Sequence, residues 1–186
     1  MNRFALKLAP LILALALPGF AGAADYAVQP AGSKLGFSGS FQGQSFEGTF
    51  TQWTAAISYD PAKIAASKFD VEVDLASAKT GDKDRDGALP GSDFFNVTKF
   101  PKGHFVTTGF HQNGAQVIAD GTLTLRGVSK PVSLTVVFKP QGTGATMDVT
   151  GSVKRLDFGV GGGDYADTSV IGNDVKIGAH LVLTAK

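Results

Sequence analysis

The run Asp82-Lys83-Asp84-Arg85-Asp86-Gly87, with Asp93 downstream, carries the residue types of a calcium loop. A hard divalent cation takes several carboxylate and carbonyl oxygens, and a central glycine permits the sharp turn that gathers them. Against this, Pro90 stands where a ligand residue is usual and Arg85 places a cation inside the loop. The segment also follows a strand pattern and not a helix, and it reads more readily as solvated turn chemistry. His104, His111 and His180 show no metal-ligand spacing with one another. There is no Gly-x-Ser-x-Gly, and with no cysteine there is no thiol nucleophile. Gly159-Val160-Gly161-Gly162-Gly163 resembles a phosphate cradle only loosely, since no lysine and no helix pattern follow. A backbone nest for the polar head of a ligand stays open there. Asn96-Val97-Thr98 is a glycosylation sequon, meaningful only in a eukaryotic secretory pathway.

The elements that would hold these groups are strands. Apolar residues recur at period two: Trp53, Ala55, Ile57 and Tyr59; Phe69, Val71, Val73 and Leu75; Val117, Ala119, Gly121, Leu123 and Leu125. The same holds for Val132 to Phe138, for Met147, Val149, Gly151 and Val153, and for Val175 to Leu183. Turn signals such as Asp60-Pro61, Asn113-Gly114 and Lys130-Pro131 divide the runs. This is an antiparallel all-β pattern with one face buried and one wet. Glycines inside strands (the chain has 24) favour strong bending, and so a barrel over a sandwich. Two segments, 76–103 and 156–173, escape the alternation and are expected over the barrel mouth.

One pattern occurs twice: Phe37-Ser38-Gly39-Ser40-Phe41 and Phe46-Glu47-Gly48-Thr49-Phe50. In a strand, residues two apart share a face, so each segment has an apolar face with a glycine at its centre. Either a cross-strand ring covers each bare glycine, or the missing side chains leave room along the barrel axis. A closed sheet of about eight strands is just wide enough to be filled or to hold one small ligand. In the second case phenylalanines would wall an apolar tunnel, where each buried methylene contributes roughly 0.8 kcal/mol.

Residues 1–23 have the form of a secretory signal: Arg3 and Lys7, an apolar run over 8–17, a Pro18-Gly19 break, then Ala21-Gly22-Ala23. The apolar run is too short to span a membrane. The remaining 24–186 suits a single domain. With 17 basic and 16 acidic residues there is no excess positive charge for nucleic acid or an anionic membrane. An exported chain without cysteine is held by its core alone.

Three stretches resemble the YceI-like family of exported lipid-binding proteins. They are Arg85-Asp86 to Leu89 running into Ser92-Asp93-Phe94-Phe95-Asn96-Val97, then Leu123 to Val132 (LTLRGVSKPV), and Asp157-Phe158-Gly159-Val160 with Ala166-Asp167-Thr168-Ser169. The resemblance implies an eight-stranded, lipocalin-like antiparallel barrel, with long mouth loops or a short helix, whose elongated pocket takes a polyisoprenoid chain. It also implies a periplasmic location and no enzymatic activity. Departures at Gly87-Ala88 and Pro90-Gly91 bear on the mouth and on the head group it accepts.

The expectation is therefore a soluble periplasmic binder of an isoprenoid lipid, a quinone tail or a prenyl phosphate. By strand parity Phe37, Gly39, Phe41, Phe46, Gly48, Phe50, Val71 and Val73 would line the tunnel, with Phe94 and Phe95 at its entrance. No cofactor, metal or nucleic acid is expected, and a homodimer is left open. The alternatives are a calcium-dependent interaction module on Asp82 to Asp93, or a hydrolase using the loop carboxylates.

Overall fold

Each alternating run becomes a strand, and the strands close on themselves. The computed structural model describes residues 23–186, so the expected signal segment lies outside the described residues except for Ala23. The strands are β1 (Ala24–Phe41), β2 (Gln44–Phe50), β3 (Trp53–Tyr59), β4 (Lys68–Asp74), β5 (Ala78–Lys79), β6 (Lys102–Asn113), β7 (Gln116–Leu125), β8 (Val128–Gln141), β9 (Gly144–Lys154) and β10 (Asp174–Ala185). Every pairing is antiparallel, and the order β10-β9-β8-β7-β6-β4-β3-β1 is shut by pairing of β1 with β10. That makes an all-β, closed eight-stranded barrel, as expected.

The two F-x-G-x-F segments form a hairpin turned by Gln42 and Gly43, both at positive φ. β2 and β3 are successive halves of one bent strand. Both pair with β1, β2 with its upper part and β3 with its start. Because β3 begins opposite the end of β4, β2 rises past the barrel rim, where β5 pairs with its far side. β1 breaks its pairing with β10 between Gln29 and Lys34, at Gly32 with φ +89°. Such a bulge supplies the bend that closure requires.

The lower end of the barrel is solid. Tyr59, Phe69, Phe110 and Phe138 pack ring on ring, with Phe69 and Phe110 centroids 4.9 Å apart and Tyr59 and Phe138 4.7 Å apart. Met147, Ala119 and Leu183 are buried among them. At the upper end lie the two unpatterned segments. One carries β5 and the single-turn-and-a-half helix α1 (Lys83–Ala88), and the other runs between β9 and β10 through two short 3-10 turns. Leu89, Phe95, Phe158 and Val160 from these segments, with Leu75 just after β4, form a second apolar cluster across the top.

Candidate functional site

Between the aromatic plug below and the apolar cover above, the barrel is not filled. A cavity of about 230 Å³ begins at Phe69. Its walls are Leu35 and Phe37 of β1, Phe46 and Phe50 of β2, Trp53 and Ala55 of β3, Val71 and Val73 of β4, Leu123 of β7, and Ile177 and Ala179 of β10. Leu89, Phe94, Phe95, Phe158 and Val160 lie over it. Among the lining residues only Ser40, His104 and Arg155, and the indole N–H of Trp53, carry polar side-chain groups. The His104 imidazole turns outward, its Nε2 lying 2.8 Å from Asp70 Oδ1. An apolar cavity of roughly 150 Å³ already stays dry and accepts an apolar guest. This larger one has the chemistry to take a hydrocarbon and to refuse water.

The glycines of the hairpin do not simply leave gaps. Phe37 stands directly across from Gly48, and Phe46 across from Gly39. A Cβ on Gly39 would meet the Phe46 ring at 3.0 Å, and one on Gly48 would overlap the Phe37 ring. Gly121 is covered by Phe105 and Gly151 by Leu134 in the same manner. The rings therefore do cover the glycines, yet the lumen stays open. A ring laid flat against a bare stretch of wall keeps clear of the axis, whereas a ring standing off a Cβ would project into it.

Eight of the ten candidate residues border the cavity: Phe37, Gly39, Phe46, Phe50, Val71, Val73, Phe94 and Phe95. Phe41 and Gly48 do not. Gly48 is buried beneath Phe37. Phe41 has the expected parity, but the hairpin projects beyond the rim and leaves it 42% exposed.

Three arginines organise the mouth, and none was assigned a role by sequence reasoning. Arg155 is 5% exposed. Its Nε donates to the Gly172 carbonyl (3.1 Å), Nη1 to those of Val160 (3.0 Å) and Gly161, and Nη2 to those of Tyr165 and Ile171 (both 2.8 Å). All five guanidinium donors are thus occupied. Burial pushes its pKa down from the ordinary value. Arg126, in the β7–β8 turn, donates through Nη1 to the carbonyls of Asp93 (2.9 Å), Phe94 (2.6 Å) and Gly159 (2.7 Å), joining the two mouth segments. Arg85 on α1 lies 4.3 Å from the centroid of the Phe46 ring, a cation–π contact that seats the helix on the hairpin. A signal for Arg155 was present. It continues the inward parity of Met147, Val149, Gly151 and Val153, and a basic residue on an inward face must have partners.

The acidic run does not assemble a metal site. Asp82 caps α1, accepting from the Arg85 N–H at 2.9 Å, and pairs with the Arg85 side chain at 3.5 Å. Asp86 accepts from the Thr80 N–H (2.6 Å) and Oγ1 (2.8 Å), which hold its carboxyl below the usual range. Among the described residues no three His, Asp or Glu side chains gather as metal ligands would. Ser133, Asp120 and His111 also meet, but not as a hydrolytic relay. Ser133 Oγ donates to Asp120 Oδ1 (2.5 Å) while His111 Nδ1 lies 2.9 Å from Asp120 Oδ2. The carboxylate stands in the middle, so no imidazole reaches the hydroxyl. The group also sits on the outer face, with the His111 side chain 52% exposed.

Comparison with known proteins agrees with this architecture. The family described as YceI-like domain matches residues 26–183, and the chain belongs to that family. A UPF0312 protein of Pseudomonas syringae pv. syringae is 36% identical over 168 residues, covering 84% of this chain and 88% of that protein. The crystal structure of Burkholderia cenocepacia BcnA superposes with a TM-score of 0.80 at 31% identity, over 84% of this chain and 99% of that one. A polyisoprenoid binding domain from Saccharophagus degradans shares the fold, with a TM-score of 0.65 at 16% identity over 88% of this chain and 99% of that one.

Proposed function

We propose that this protein binds a long-chain isoprenoid lipid, a quinone tail or a prenyl phosphate, in the barrel cavity, and carries it in the periplasm without catalysing a reaction. The observation that carries this reading is the cavity itself, large, walled by hydrocarbon and roofed by apolar side chains. Left unfilled, a space of this volume forgoes roughly 5 kcal/mol of packing, at about 24 cal/mol per Å³. Burial of one five-carbon isoprene unit returns about 3–4 kcal/mol, at ~0.8 kcal/mol per methylene. A polyisoprenoid chain therefore gains strongly from the site with no polar contact. The polyisoprenoid ligand of the Saccharophagus degradans domain supports the same ligand class. Phe37, Phe46, Phe50, Val71, Val73, Phe94 and Phe95 are the residues proposed to touch the chain.

The test is extraction. The protein is purified from the periplasm of its host without detergent and extracted with organic solvent, and the extract is analysed by mass spectrometry. A stoichiometric isoprenoid lipid is expected. An empty cavity, or a straight-chain fatty acid bound in its place, overturns the assignment.

A further inference from the structure

Four large apolar side chains are exposed among the described residues: Phe41 at 42%, Val137 at 45%, Tyr165 at 43% and Val170 at 39%. Val137 stands alone on the outer face of β8, as single exposed apolar residues commonly do. The other three belong to two segments that meet at one edge of the mouth. Phe41 is bridged to Ile171, the Gln42 N–H donates to the Val170 carbonyl at 2.7 Å, and the Gly172 N–H donates to the Ser40 carbonyl at 3.0 Å. The Tyr165 ring lies 5.1 Å from that of Phe94. Ile171 and Phe94 both line the cavity. The exposed apolar surface is therefore continuous with the cavity wall.

Charge at this rim is distributed in a particular way. From Leu35 to Phe46 there is no charged residue, so the hairpin tip can leave water without stripping a charge. The facing stretch, residues 160–173, carries Asp164 and Asp167 and no basic residue. Nothing in these two segments would attract an anionic lipid surface, and the two carboxylates would oppose one. Phenylalanine and tyrosine are suited to the boundary between head groups and acyl chains, with an apolar body on one side and, for tyrosine, a polar tip on the other.

We propose that this rim docks on a bilayer of zwitterionic head groups, with Phe41, Tyr165 and Val170 entering the interface, so that a lipid passes between bilayer and cavity along a continuous apolar path. The proposal rests on the reading of the cavity as a lipid site. It adds the surface from which that lipid is collected.

The test compares wild type with the double variant Phe41→Ser, Val170→Ser, two exposed side chains outside the cavity lining. One measurement is co-flotation with phosphatidylcholine vesicles, which requires no cavity ligand. The other is binding of a fluorescent polyprenyl probe added directly from ethanol. Wild type is expected to float with the vesicles, and the double variant to lose at least tenfold in bound fraction while binding the directly added probe as before. Equal flotation of the two proteins, or none of wild type, overturns the docking surface. So does flotation confined to phosphatidylglycerol vesicles and abolished by salt, and so does loss of direct probe binding in the variant. Wild type that floats but takes no probe leaves docking standing and defeats the cavity reading instead.

Discussion

Phe37 and Gly48 face each other across β1 and β2, and the Phe37 ring occupies the space a side chain on residue 48 would need. The pair sets how wide the lumen is at its upper end. A Cβ at residue 48 would lie 2.7 Å from Cε1 of that ring, so even alanine must push it toward the axis. Gly48→Ala should cost about 1–3 kcal/mol as an overpacked site. It should also weaken uptake of a polyprenyl probe severalfold. Gly39→Ala, where the clearance to Phe46 is 3.0 Å, should show the smaller effect of the two. Fluorescence titration alongside thermal melts checks both quantities.

The floor of the cavity is Phe69, 2% exposed and wedged edge-on against Phe110. Phe69→Ala should lower stability by about 3–5 kcal/mol and deepen the site. If the barrel holds a linear chain, the length distribution of extracted lipid should shift upward in this variant. An unchanged distribution would place the tail somewhere other than above Phe69.

Arg155→Lys keeps the charge but has three donors in place of five. Several carbonyls of residues 160–172 would lose their partner inside an apolar setting, at about 1–3 kcal/mol for each left unsatisfied. The expected result is a destabilised cover over an intact barrel. Hydrogen exchange should accelerate over residues 156–173 and stay unchanged in β7, β8 and β9. Uniform acceleration across the sheet would show that the arginine supports the whole fold and not the cover alone.

Asp86 and Asp167 belong one to each mouth segment, and both carboxyls are held below their ordinary value of 3.8 by hydrogen bonds. Thr80 supplies the N–H and hydroxyl to Asp86. The Ser169 hydroxyl (2.6 Å) and N–H (2.8 Å) supply those to Asp167. A carboxyl depressed in the folded state stabilises that state above its unfolded pKa, and the contribution is lost as pH falls through the folded value. Acidification below 3.8 should therefore loosen the mouth before the barrel. Probe release should precede loss of the far-ultraviolet strand signal in an acid titration. Simultaneous loss would contradict it.

The barrel was legible because alternation survives wherever one face is buried, as in Trp53 to Tyr59 and Val132 to Phe138. β6 was less so. Its register shifts between Thr107 and Gly109, so Phe105 and Phe110, both buried, sit five apart and break the period of two. Most of the residues that parity named do border the cavity, but Gly48 lies beneath Phe37 and Phe41 was misjudged, because parity cannot show where a strand outruns its neighbours. It also left open whether a glycine makes a hole or a seat for a ring, which depends on the cross-strand partner. The arginines of the mouth escaped for a related reason. Arg126 and Arg155 are held by backbone carbonyls, which leave no trace in a sequence, and Arg85 by the ring of Phe46 on a separate strand.

The plug of Tyr59, Phe69, Phe110 and Phe138 makes the barrel a blind tube. A linear guest must enter tail first and depart head first through the same opening. Such a container cannot serve as a conduit linking two compartments at once. In the carrier role proposed above, it would visit giver and receiver in turn, detaching from one before presenting its cargo to the other.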